Sequence, residues 1–164
     1  MSDTRSHDGP SRRESPHPWT QEALDALPLW TLVQAFHGVA GRLYGLFGQH
    51  DLTPTQFGVL AQLATGAVES QAELARRVLV TPQSLQVLVT ELGARGLLDI
   101  SGPGGRGRRR RLELTDSGWE LIDRVRPGLE QANNPAHLGL SPTDSARLNR
   151  SLHTLRHHLS ETVP

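Results

Sequence analysis

The sequence predicts a mainly α-helical fold with one small β-hairpin, and three observations carry that expectation. Apolar residues recur at i, i+3, i+4 and i+7 through most of the chain, the spacing of amphipathic helices. Hydroxyl residues followed by proline recur as Thr53-Pro54, Thr81-Pro82 and Ser141-Pro142, each an N-cap with a proline at the first helical position. Between helical segments, Leu97 to Ile100 and Arg109 to Leu114 read as two strands around the loop SGPGGRGR.

Taken in order, residues 1–18 hold no apolar residue after the initiator Met, so burial cannot offset their ordering entropy and they read as a disordered tail. Trp19 to Leu27 can form a short helical turn, interrupted or restarted by Pro28. The main first helix is expected from Leu29 to Phe47. Leu29, Leu32, Val33, Phe36, Ala40, Leu43 and Phe47 form its stripe, and Trp30, Val39, Tyr44 and Leu46 widen the stripe beyond one face. A helix apolar on two sides needs covering on two sides, so partial burial by a second subunit is expected. Gly38, Gly41, Gly45 and Gly48 cost helix propensity, and a close helix–helix approach is one reason to tolerate them.

Thr53 to Gln56 spell a capping box, after which Phe57, Leu60, Ala61 and Leu63 give a core face up to Gly66. Ser70 to Glu73 open a second capped helix that ends near Val78, with Leu74, Val78 and Leu79 assigned to the core. Thr81 then caps a helix that Gly96 stops, with Leu85, Leu88, Val89 and Leu92 on its core stripe. Two helices joined by so short a turn make a helix-turn-helix. With the hairpin that follows, the expected architecture is a winged helix-turn-helix plus a helical dimerisation layer. Thr115 begins the next helix, whose apolar side is Trp119, Leu121, Ile122, Val125 and Leu129, bent or shortened at Pro127. Asn133-Asn134-Pro135 breaks it, and a last helix from Ser141 carries Leu148, Leu152, Leu155 and Leu159 at a spacing suited to a helical partner.

The expected organisation is therefore a tail at 1–18, a dimerisation helix within 19–50, a winged helix-turn-helix at 51–118 and C-terminal dimerisation helices at 119–164. Opposite the core stripe of the third capped helix lie Gln83, Ser84, Gln86, Val87 and Thr90, with Thr81 and Pro82 at its start. Short donors and acceptors with almost no charge are the chemistry that reads base edges in a major groove. Arg76 and Arg77 are left outside to meet phosphate, and five arginines follow the loop within residues 106–111. Strand alternation sends Arg109 and Arg111 to one side and Arg108 and Arg110 to the other. Arg106 and Arg108, nearest the tip, are candidates for a minor groove, and Arg109, Arg110 and Arg111 for phosphate.

Net charge is zero, yet residues 76–111 carry eight arginines against Glu91 and Asp99. That concentration is an electrostatic footprint for nucleic acid. All seventeen basic residues are arginine, a bias that fits a GC-rich genome. No cysteine is present, which excludes disulfides, thiol redox sensing and cysteine-ligated metal sites. Without a secretory leader or a long apolar run, a cytoplasmic protein with no membrane partner is expected.

The stretches LTPTQFGVLAQL, SQAELARRVLVTPQSLQVLVTELGARGLL and LELTDSG, in that order after a long first helix, resemble the MarR family of winged-helix regulators over about residues 27–160. The resemblance implies a homodimer with interlocked first and last helices, recognition helices in successive major grooves of double-stranded DNA, and repression relieved by a small aromatic or phenolic effector. Family wings place an acidic residue two positions before the tip arginine. Here the arginine is Arg108 and the acidic position is Arg106, which implies a looser and more basic wing.

Trp30, His37, Arg42 and Tyr44 are the candidates for an effector pocket on the first helix, with Arg42 pairing a carboxylate; core or interface roles are the alternative. His153 and His157 stand at i, i+4, a zinc-capable spacing, with His158, His37 and His50 as further donors, but no acidic residue accompanies them and no metal or other cofactor is expected. Nucleophile elbow, phosphate loop and HExxH are all missing, so an enzyme is not expected. A nonspecific architectural DNA binder is the other reading open to so basic a wing.

Overall fold

The computed structural model describes residues 19–101 and 111–162. The chain divides into two units, Met1–Val39 and Ala40–Pro164. In the first, α1 (Gln21–Asp25) is capped by Thr20, whose Oγ1 accepts from Ala23 N at 3.1 Å. Pro28 opens α2 (Pro28–Gly48), so it restarts the helix instead of interrupting one. Within residues 28–39 no side chain is buried, and Leu29, Trp30, Val33, Phe36 and Val39 are all exposed.

The second unit holds the end of α2 and the helices α3 (Pro54–Ala64), α4 (Gln71–Arg77) and α5 (Pro82–Ala94). After them come strands β1 (Leu98–Ser101) and β2 (Arg111–Leu114), helix α6 (Asp116–Ala132), a 3-10 turn (Pro135–Leu138) and α7 (Pro142–Thr162). β1 and β2 form a two-stranded antiparallel sheet in which Leu98 faces Leu114 and Ser101 faces Arg111. β1 is displaced by one residue from the expected Leu97 to Ile100. Leu97 ends α5 instead of starting β1: its N–H reaches Leu92 O at 3.0 Å while Gly96 N reaches Gly93 O at 2.9 Å. With Gly96 at φ +70° this is a Schellman cap. Residues 109 and 110 of the second expected strand lie outside the described residues.

The caps form where the sequence places them. Thr53 and Gln56 make both bonds of a capping box, at 3.1 and 2.9 Å. Ser70 Oγ accepts from Glu73 N at 3.1 Å, but the Glu73 carboxylate reaches past Ser70 to Glu69 N at 2.9 Å. Its other oxygen holds Arg77 at 2.7 Å. The core joins Phe47, Leu60, Leu74, Leu85, Leu92 and Val125. Burying each such side chain contributes about 1.5–3 kcal/mol. Phe47 stacks on Phe57 with ring centroids 4.4 Å apart.

Four expectations need correction. Leu79 is not in the core: it is 90% exposed at φ +59°, and Val80 turns inward in its place. The turn between α4 and α5 requires a left-handed residue, which reverses which side chain points in. Val59, left off the core face of α3, is fully buried. Pro127 does not shorten α6, which continues to Ala132 because Val125 before it and Leu129 after it stay packed on one core. Trp119 leaves that core and stands 45% exposed. Within the chain, a Cβ on Gly38, Gly41, Gly45 or Gly48 meets nothing within 4 Å, whereas one on Gly128 would meet Leu46 Cδ1 at 2.5 Å. Leu148, Leu152 and Leu159 of α7 are exposed, and Leu155 is half-buried.

Candidate nucleic-acid interface

The helix-turn-helix is set by backbone bonds around the left-handed residue. Val78 N reaches Leu74 O and Val80 N reaches Ala75 O, both at 3.0 Å, so the chain leaves α4 and enters α5 within a few residues. Leu85, Val89 and Leu92 hold α5 on the core, and Leu88 packs partly against it. The opposite face, Pro82, Gln83, Ser84, Gln86, Val87 and Thr90, is exposed throughout, as is Thr81 before it.

Several of these side chains already have local bonds. Thr81 Oγ1 accepts from Ser84 N at 3.1 Å and donates to Ser84 Oγ at 3.0 Å, so both hydroxyls serve the cap. Thr90 Oγ1 donates to Gln86 O at 2.8 Å, and Gln86 Nε2 donates to Gln71 Oε1 of α4 at 2.7 Å. Gln71 thus fixes the direction of a residue at the centre of the polar face. Gln83 and Val87 project beside it, offering an amide and a methyl-bearing surface.

The arginines divide. Arg76 is exposed on the last turn of α4. Arg77 binds inward: it pairs with Glu73 and donates to Gln62 Oε1 at 3.3 Å and Ala67 O at 3.1 Å, strapping α4 to α3 and the connection between them. The bond from Glu69 N and the Arg77 guanidinium hold the Glu73 carboxyl below its usual range. Arg95 donates to Asp51 O at 2.8 Å, where Asp51 sits at φ +54°, so it too does structural work within the basic segment. Arg111 is exposed and pairs with Glu113 at 2.8 Å. Arg106, Arg108, Arg109 and Arg110 lie outside the described residues.

The wing base is locked to the end of α5. Thr115 Oγ1 donates to Gly96 O at 2.6 Å, and Thr115 N reaches Leu97 O at 3.2 Å. Gly118 lets these chains meet, since a Cβ there would lie 2.3 Å from Leu97 O. This accounts for the Thr and Gly of the LELTDSG stretch.

The proposed effector residues are exposed: Trp30 and His37 in the first unit, Arg42 and Tyr44 in the second. A groove of about 630 Å³ lies elsewhere, between the α3–α4 connection, β2 and the start of α6. Trp119 and Gln71 both line it, from chain segments far apart in sequence. Among the described residues no group of three or more His, Cys, Asp or Glu is placed to hold a metal, and His153 instead meets Arg156 at 3.3 Å. No described helix is long and apolar enough to cross a membrane.

An exposed, nearly uncharged helix face seated beside a hairpin defines a winged helix-turn-helix protein. Within that segment the model of the MarR family matches residues 50–109. The HTH-type transcriptional repressor NicR of Pseudomonas putida is 36% identical over 80 residues, 49% of this chain and 51% of NicR. The chain thus matches about half the length of that curated relative. Over longer spans, the MarR family protein Rv2887 of Mycobacterium tuberculosis, solved with salicylic acid, aligns at 25% identity and a TM-score of 0.63, covering 81% of this chain and 98% of that one. A probable transcriptional regulator from Pseudomonas aeruginosa aligns at 26% identity and a TM-score of 0.69, covering 80% and 98%.

Proposed function

We propose that this chain is a homodimeric, sequence-specific regulator of transcription, acting in the cytoplasm as a repressor on a palindromic operator and released by a small aromatic or phenolic acid. The observation that carries the reading is the exposed polar face of α5, held in direction by the Gln71–Gln86 bond and flanked by the exposed Arg76. Gln83, Gln86, Val87 and Thr90 read base edges; Arg76 and the wing arginines 106 and 108–111 supply phosphate or minor-groove contact. Arg77 contributes by holding α4, on which Arg76 and Gln71 sit, and Thr81, Pro82 and Ser84 by starting α5.

The dimer rests on what a lone chain leaves uncovered. Phe36 is 63% exposed and Leu29 58%, while α7 presents Leu148, Leu152 and Leu159. Apolar faces of that extent mark an interaction surface. The domain assignment follows: residues 19–50 and 119–164 serve dimerisation and residues 51–118 bind DNA. For the effector, Rv2887 with salicylic acid supports an aromatic acid, with Arg42 as its counter-charge and Trp30, His37 and Tyr44 as contacts.

Selection from a random duplex pool at physiological salt tests the proposal, with solution mass measured alongside. A dimer enriching an inverted repeat, its half-sites one or two helical turns apart, is the expected result. Binding without enrichment that collapses as salt rises would establish an architectural binder run by the wing arginines. Gln86→Ala is expected to lower preference for the selected site while nonspecific binding persists.

A further inference from the structure

All four residues of β2 line the groove described above, Arg111, Leu112, Glu113 and Leu114. Successive strand residues point to opposite faces, so a strand that lines a cavity with both faces presents its edge to it. β2 pairs only with β1 among the described residues. Alternate N–H and C=O groups of β2 therefore point away from β1, toward the groove.

The facing wall, residues 67–70, adds no strand to that edge, and backbone groups of Ala67 and Glu69 are held by side chains instead. Ala67 N donates to Thr65 Oγ1 at 3.2 Å, Ala67 O accepts from Arg77, and Glu69 N donates to Glu73. Below lie Leu63 and Leu74, the latter fully buried, so the floor is apolar and fixed to the core. Trp119 stands half-exposed at one side, an aromatic face open to stacking. Two carboxylates, Glu69 and Glu113, stand at the rim against one guanidinium, Arg111.

We infer that this groove is a binding site for a flat, uncharged heteroaromatic molecule carrying an N–H donor next to a C=O acceptor, a lactam or cyclic amide. Its edge pairs with the β2 backbone as another strand would, its ring stacks on Trp119, and the acidic rim disfavours a carboxylate of the same shape. A volume of about 630 Å³ falls within the range of small-molecule sites. The site is separate from the one proposed on the first helix and takes a different ligand class. It adjoins Gln71, which holds Gln86 on the recognition helix.

The probe is 2-quinolone, compared with 2-naphthoate as the anionic counterpart, titrated into the full chain labelled with nitrogen-15. The chain has three tryptophans, and Trp119→Phe identifies the indole signal of Trp119. Saturable shifts of that indole and of the amides of residues 111–114 are expected with 2-quinolone. Naphthoate is expected to bind at least several-fold more weakly, and Trp119→Ala to lower quinolone affinity about tenfold, as loss of a stacked ring implies. Trp119→Phe keeps a ring and is expected to keep most of the affinity, which separates lost stacking from lost folding. No shift at millimolar quinolone, shifts confined to α2, or equal binding of naphthoate would overturn the assignment. The readout involves no DNA, so a chain that selects no operator still passes or fails this test.

Discussion

Gly118→Ala sets two physical effects against each other, and the structure decides the sign. Gly118 is buried in the first turn of α6, and alanine there gains about 1 kcal/mol of helix propensity. The new methyl, however, would lie 2.3 Å from Leu97 O and 3.1 Å from Leu114 Cδ2, the first more than about 1 Å inside ordinary contact. The obstacle is backbone, so no side chain can swing aside. Moving it strains the packed wing base, at about 1–3 kcal/mol for overpacking. It also stretches the bond from Thr115 N to Leu97 O, of about 0.5–1.5 kcal/mol. The packing terms exceed the propensity gain, leaving a net loss of about 1–3 kcal/mol. For a chain of this length that lowers the melting temperature by roughly 3–10 °C. Thermal unfolding followed by circular dichroism measures it. A melting temperature equal to or above the parent's would refute the argument, because propensity would then have won and the α5–wing junction would be slack.

Leu79→Gly is expected to raise stability by about 0.5 kcal/mol: relief of the left-handed backbone exceeds the entropy glycine adds to the unfolded chain, and the side chain is too exposed for its loss to matter. Urea unfolding reads the change. Glu73→Gln should destabilise the chain near neutral pH, where the charged carboxylate holds Glu69 N and Arg77. Because the folded carboxyl titrates below the ordinary carboxylate value, its contribution is complete above that ordinary value and fades as pH falls through the lower folded one. Parent and variant melting curves should therefore converge in acid. Arg76→Ala is expected to lower the salt slope of DNA binding by about one, a change that Arg77→Ala, acting through stability, should not mimic at temperatures where both are folded. Phe36→Asp with Leu152→Asp should convert the proposed dimer to monomer in sedimentation while helix content is kept, since neither side chain is buried within the chain.

The elements most legible in the sequence are those fixed by neighbours a few residues apart. Thr53, Ser70, Thr81, Thr115 and Ser141 each cap the helix they precede, because an N-cap bond spans three residues and depends on little else. The polar face of α5 was legible for the same reason. Leu79 was not, because apolar periodicity assumes continuous helix and the left-handed residue breaks the phase at that point. Nor was the division of labour among the arginines. Charge counting treats Arg76, Arg77 and Arg95 alike, but Gln62, Ala67 and Asp51 lie near two of them only once the chain is folded.

Trp119 shows where pattern reading misleads most usefully. Its spacing to Ile122 and Val125 is that of a core residue, and a tryptophan at such a position is normally buried. In the fold it stands before the β2 edge and opposite residues 66–71, neither of which fills the space in front of it. Leaving so large an apolar ring half-exposed forgoes part of the 150–250 Å² that an aromatic side chain can bury. The exposed apolar residues of α2 and α7 are accounted for by the proposed dimer, which covers them with identical elements. Trp119 lies instead beside the wing, with Gln71 of α4 across the groove and Gln86 of α5 bonded beyond it. A ring exposed at that junction shares its groove with Gln71, the residue that holds Gln86 on the polar face of α5.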